Sequence, residues 1–232
     1  MGGRSVKSSL LAVCALFLQV IVLPLGASAA DADRVDGEPV APAESEPVES
    51  AQQLASRACE FLRQGEDAAN EEAKRAAYSR GLALARRAVA LDDRNADAHF
   101  AVFGNEGRLL LLDGATPNPV TLLKVNKELD RVLALDPNHS DALAAKGGLY
   151  RQLPWILGGS LSKAEDYLNR AIELNPTAVS ARIELAETYR DMGEPQRGRS
   201  LLEAAASIAE QQGKARQLTE ARHLLAELGS AR

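Results

Sequence analysis

The sequence predicts an all-α protein built as a stack of helical hairpins, and three observations carry that expectation. Alanine and leucine dominate from about Ala51 to Gly229, with no run of β-branched residues. Prolines and glycines fall where short turns between helices need them. One segment also recurs, as Leu84–Asp93, Leu129–Pro137 and Leu168–Pro176, with a worn fourth copy through Leu202 and Ala205. Each copy places leucine, then alanine or valine three or four residues on, then leucine again, which is helix-period spacing. Aromatic residues make up only 4% of the chain. Few large rings are available as core, so the helices must approach closely on alanine and interlock through leucine.

Residues 1–29 read as an export signal. Arg4 and Lys7 form a positive start, Leu10–Leu25 is an apolar run broken by Gln19, and Ala27-Ser28-Ala29 supplies a small-x-small cleavage pattern. The run has 16 residues, short of the roughly 20 that a spanning helix needs. A soluble periplasmic or secreted protein is therefore expected, with no stable membrane insertion after cleavage. Cys14 fits a lipoprotein box poorly, because Val13 stands where a small residue is wanted. Loss of Arg4 and Lys7 takes the formal charge from −5 to −7 and leaves Cys59 as the single thiol. One thiol makes no internal disulfide, so the fold rests on its core.

Residues 30–50 carry seven acids against one arginine, with Pro39, Pro42 and Pro47. Such a segment has little to bury and reads as a disordered acidic linker. Residues 51–232 are expected to fold as about nine helices, with the repeat-like core at 75–210. Asn118-Pro119 reads as a cap and a first helical turn. Pro137 and Pro176 end helices. Gly114, Gly193 and Gly213 suit helix C-termini. Ser160 or Ser162 caps the next helix, with Glu165 completing a capping box if Ser162 is used.

The recurring segment resembles the second helix of a tetratricopeptide-repeat (TPR) hairpin and the turn into the next. Each copy is followed five residues later by alanine: Ala98, Ala142 and Ala181. Gly147 and Tyr150, then Ala186, Tyr189 and Gly193, stand at the small, tyrosine and glycine positions of the family's first helix. After Ala98 those small and tyrosine positions hold Phe103 and Glu106. The resemblance implies a right-handed superhelical stack. The period departs from the family's, which is about 34 residues: Leu91 to Leu135 is 44 and Leu135 to Leu174 is 39. The additions are placed at Asp113–Asn118, with extended helix ends, and at Pro154–Gly159. Both lie inside hairpins and so emerge at one end of the stack. At a second level, Pro154, Gly158-Gly159, Lys163-Ala164 and Leu168 resemble the TPR component of TRAP periplasmic solute transporters. The regulator-of-microtubule-dynamics family has a similar layout.

Catalytic and cofactor chemistry finds no support in the residues. His99, His139 and His223 have no ligand spacing around them. Gly158-Gly159-Ser160 is not a phosphate loop, which wants Gly-x-x-x-x-Gly-Lys after a strand. No nucleophile elbow is present. An acidic chain without a basic stripe argues against nucleic acid. The expectation is thus a non-enzymatic protein without cofactor or metal that binds another protein, one choice being a transporter's solute-binding component. The alternative is a carrier of an apolar or amphipathic small molecule in a channel near the glycines between Phe100 and Gly107. The TPR resemblance implies a concave groove on the first helices: Phe100, Arg108, Ala144, Gly148, Arg151, Ile183, Glu187 and Arg190. Phe100, Ala144 and Ile183 stand where a carboxylate-clamp lysine would be, so clamp-type chaperone binding is not expected. The three arginines either bind a ligand or pair with acids such as Glu187 and Asp191. Trp155, the only tryptophan, either folds back as core or is an exposed contact.

Overall fold

The computed structural model describes residues 49–114 and 119–230. The expected signal, nearly all of the acidic linker and the Asn118 cap lie outside those residues. Among the described residues there are nine α-helices and no strand. They are α1 Ala51–Asp67, α2 Glu71–Leu91, α3 Ala96–Leu112, α4 Pro119–Leu135, α5 Ser140–Gln152, α6 Leu161–Leu174, α7 Val179–Asp191, α8 Arg199–Gln211 and α9 Ala215–Ser230. Consecutive helices pair as four hairpins, α1/α2 to α7/α8. Each hairpin packs on the next, and α9 closes the stack against α8.

Side chains set where the helices begin. Ser50 and Gln53 cap α1 reciprocally, each accepting from the other's backbone N–H. Asn70 and Asn95 accept from Ala73 and Ala98 at the starts of α2 and α3. At α5 the cap is His139, whose Nδ1 accepts from the Ala142 N–H at 3.2 Å. Ser160, not Ser162, caps α6, through the Lys163 N–H. Glu165 is therefore free of a capping box and instead accepts from the Tyr189 hydroxyl and from Arg197, tying α6 to α7 and to the turn before α8.

The recurring segment is the core. Leu129, Leu168 and Leu202 are buried, as are Ala88, Val132, Ala171 and Ala205 three residues on from the equivalent position. Counting back from Leu91, Leu135 and Leu174 aligns Ala85, not Leu84, with Leu129 and Leu168. Ala85 is accordingly buried in the first hairpin while Leu84 is only partly so. Ala98, Ala142 and Ala181 seal the next helix against it with no exposed surface.

The added residues take two forms. α3 and α4 each run 17 residues, against 13 and 14 for α5 and α6, so part of the first addition is about a turn on each helix. The second is a single 3-10 turn, Trp155–Leu157. The first copy has Asp93 where the others have proline, and polar ties replace the ring there. Arg131 of α4 donates to Asp93 Oδ2 at 2.7 Å, and the His99 ring lies 3.0 Å from the Asp93 carbonyl. Lys146 of α5 is buried and donates to Asn126 and Asp130 of α4.

Gly147 marks the α5–α6 crossing. A Cβ there would stand 2.5 Å from Leu168 Cγ and 3.2 Å from the Ala164 carbonyl. In the preceding hairpin Phe103 fills the equivalent place and packs on the Leu129–Val132–Ala142 cluster. Gly147→Leu should cost at least the 1–3 kcal/mol, roughly, of an overpacked core site. Thermal and urea unfolding of that variant checks the cost, and a cycle of Gly147→Ala, Leu168→Ala and the pair checks the contact. The double change should cost less than the sum of its parts, and strict additivity would mean that the two residues do not meet.

Candidate functional site

The first helices α1, α3, α5 and α7, continued by α9, present one face of the stack, and its charges come from all of them. At its centre is Arg151, near the C-terminus of α5, where a cation also suits the helix dipole. Its guanidinium donates to three carboxylates of α7: Glu184 at 3.0 Å, Glu187 at 2.8 Å and Asp191 at 3.1 Å. These acids recur at helix spacing, so one α7 face offers all three to a single cation. The Arg151 side chain is only 13% exposed.

Gly148 makes room for this arrangement. It is buried, and a Cβ on it would lie 3.3 Å from Glu184 Oε2. Burial pushes the Glu184 carboxyl above its ordinary range. Arg151 pulls in the opposite direction, and the neighbouring Glu187 adds to the rise. One arginine therefore faces more negative charge than it neutralises.

Arg190, one turn beyond Glu187, donates to Glu187 at 3.1 Å and lies 3.7 Å from Glu227 of α9. α7 and α9 bound a shallow cleft of 710 Å³ lined by Glu187, Arg190, Arg216, Thr219, Glu220, His223, Leu224 and Glu227. Arg108 of α3 pairs with Glu66 of α1, and Arg216 reaches the same carboxylate at 3.5 Å. Glu66 thus links the first and last helices of the stack across this face.

The residues expected to form a groove are placed in different surroundings. Gly148, Arg151, Glu187 and Arg190 come together. The arginines take the ion-paired arrangement, with Arg108 on a separate acid. The apolar floor is different. Ile183 is 3% exposed and packs with Leu202 and Ala205 of α8 and with Ala221 and Leu228 of α9. α9 covers the position, so Ile183 is core and not an open floor. Phe100 is half-buried, its ring centroid 4.9 Å from the His139 ring and 5.8 Å from Phe103, and packs on the α4–α5 cluster. Ala144 is half-buried beside the α5–α6–α7 core. Of the glycines expected to leave room for a channel, Gly104 is filled by Leu62, while Gly107 faces open space. Sequence reasoning missed Glu66, Glu184, Arg216, Glu220 and Glu227. The available signal was the helix that starts two residues after Gly213: read as a fifth first helix, it would have brought the last three residues into view.

Trp155 is not core. It is 84% exposed, and Ile156 and Leu157 are exposed beside it. Tyr150 of α5 stacks on Tyr167 of α6, with centroids 5.5 Å apart. Among the described residues no group of histidine, cysteine and acidic side chains is arranged to hold a metal ion. Cys59 is half-buried, and burial pushes its thiol up to about 11.

The sequence model of one protein family, described as TRAP transporter T-component, matches residues 28–221. No curated protein matches the chain. Several solved structures resemble it at low identity. A thermophilic TPR protein of Thermus thermophilus is 18% identical over 75% of this chain and 91% of its own, with a TM-score of 0.45. PilF of Pseudomonas aeruginosa is 16% identical over 77% of this chain and 79% of its own, with a TM-score of 0.45. YrrB, described as a TPR protein with an unusual peptide-binding site, is 17% identical over 75% and 91%, with a TM-score of 0.36.

Two outcomes follow from the geometry. In an NMR titration of side-chain carboxyls, Glu184 should titrate above 4.5, and Arg151→Met should move it further up by removing the cation that favours its charged form. The folded state holds this proton more tightly than the unfolded chain. The carboxyl's contribution to stability is therefore full below the unfolded value and is lost as pH rises through the folded one. A downward move in Arg151→Met would contradict the assigned pair. In a Cys14→Ser chain, Cys59 should alkylate far more slowly when folded than in urea, with a rate still climbing past the ordinary thiol value of 9.0.

Proposed function

This chain belongs to the TRAP transporter T-component family, and from that premise we propose that it is a non-enzymatic, exported adaptor that binds another protein. The partner proposed is the solute-binding component of the same kind of transporter. The working surface is the α5–α7–α9 face: Gly148, Arg151, Glu187 and Arg190, with Glu220 and Glu227 opposite and Arg108 at its edge. The export signal at residues 1–29 is part of this reading, which assigns the protein to the periplasm. No helix among the described residues is long and apolar enough to cross a membrane.

One observation supports the surface most. Arg151 and Arg190 sit among Glu184, Glu187, Asp191 and Glu227 in an alternating charge pattern beside an open cleft. Such a pattern sets register and orientation for a charged partner segment better than it drives raw affinity. The apolar positions nearby are already committed to packing, so an apolar anchor is not what this face receives. An amphipathic small molecule bound in the stack is the second reading. Native mass spectrometry of the purified chain separates the two, since a co-purifying small mass would favour the carrier.

The test uses residues that do not hold up the core. Arg190 is half-exposed, so Arg190→Glu should keep the helical circular dichroism signal while weakening calorimetric binding of the solute-binding component. The loss should be larger at low salt, because exposed charges are screened over about 10 Å at 0.1 M. Phe100→Asp is a poor probe by comparison, since its ring is packed. Unchanged affinity in Arg190→Glu and in Glu227→Arg would move the contact off this face.

A further inference from the structure

We propose that the Trp155–Leu157 turn seats the folded stack on a lipid bilayer surface, a contact separate from the charged face. Three consecutive large apolar side chains point outward, with exposures of 84%, 68% and 42%. Leu111, 58% exposed at the C-terminal end of α3, belongs to the same rim. α3 and α5 are successive first helices joined through short turns to their antiparallel partners. Their C-termini therefore end on one side of the stack, and the apolar groups lie along an edge, not in a groove.

The turn is built to leave water. Pro154 brings no N–H. The Leu157 and Gly159 N–H groups donate to the Pro154 carbonyl at 2.9 and 3.1 Å, and the Gly158 N–H donates to the Trp155 carbonyl at 3.0 Å. The Ser160 N–H is bonded to the Tyr150 carbonyl at 3.0 Å. Four of the loop's N–H groups are thus satisfied internally, which lowers the cost of bringing this backbone towards lipid. The turn also folds back closely on the end of α5. Gly158 has φ 90°, and a Cβ on Gly159 would stand 1.7 Å from the Leu153 carbonyl oxygen. Only glycine fits this fold-back.

Size and charge choose the occupant. Three side chains on a convex tip fall well short of the roughly 800 Å² per partner of a stable protein interface. A bilayer needs no complementary pocket, and tryptophan favours its interfacial layer. The chain carries a formal charge of −5, yet from Ala142 to Ala164 it has no acid and three cations, Lys146, Arg151 and Lys163. Lys146 and Arg151 are already ion-paired. Lys163 is exposed, its Nζ 5.3 Å from the Tyr150 ring, where it meets lipid phosphates at the foot of the turn.

Trp155 is the chain's only tryptophan, so its emission reports on this turn alone. With vesicles of phosphatidylcholine and phosphatidylglycerol, the full chain should show a blue shift and quenching by lipids brominated high on the acyl chain. Ile156→Asp and Leu157→Ser should each weaken that partitioning about tenfold, with unchanged circular dichroism. Co-sedimentation with unaltered Trp155 emission would overturn the proposal, because binding would then run through the apolar segment at Leu10–Leu25. A blue shift that needs no lipid and grows with protein concentration would overturn it in favour of a second copy. A shift seen only on adding the solute-binding component would overturn it in favour of a protein contact.

Discussion

Close approach between helices at small residues is the constraint on which this structure rests. A chain with 4% aromatic residues cannot fill wide gaps between helices, so it must not leave any. Ala55, Ala58, Ala85 and Ala88 close the first hairpin with no exposed surface, and Gly147 lets Leu168 reach the α5 backbone. Gly81 of α2 similarly yields to buried Asn105 of α3, whose amide donates to the Ala58 carbonyl of α1 at 3.2 Å. Three helices are thereby fixed around one side chain. Each hairpin exposes an apolar face until its neighbour covers it, so stability accumulates along the stack. α9 ends this series by burying Ala221 and Leu228 inward while Arg216, Glu220, Arg222 and Glu227 face outward.

Tight apolar packing also decides where charge can go. Among the described residues few polar side chains are buried, and each has a tie: His99 to the Asp93 carbonyl, Asn105 to α1, Lys146 to α4, and Thr188 to the Glu184 carbonyl one turn back. Part of the remaining charge lines the face of the first helices. There Arg151 meets three acids because Gly148 lets α7 come close. The charged face is in this sense a by-product of the packing rule. The same small residues that allow close approach bring opposite charges into contact, and burial then raises the Glu184 carboxyl.

The two lengthened intervals show two uses of added residues. Between α3 and α4 part of them extends the helices and lengthens that hairpin. Between α5 and α6 they make a short, fully folded turn that carries its apolar residues outward. The first adds surface along the stack and the second adds a single projection from it.

Much of the fold was legible in the sequence. Helices, turns and the repeat depend on residues a few positions apart: Leu168 and Ala171 at helix spacing, Pro137 and Pro176 after the helix ends, Ser160 at the start of α6. Such signals act locally and survive without knowledge of partners. The registration of Leu84 slipped because one residue of slip leaves a helix-period pattern intact; counting back from Leu91 selects Ala85, and its burial agrees. What the tertiary structure alone decided was exposure and pairing. Ile183 is core because α9, distant in sequence, lies over it. Arg151 is an ion-paired hub because acids from 33 to 40 residues away converge on it. Trp155 is outside because it stands on the short turn between α5 and α6, not within a helix face. Burial and ion pairing belong to contacts between distant segments, and no local pattern carries that information.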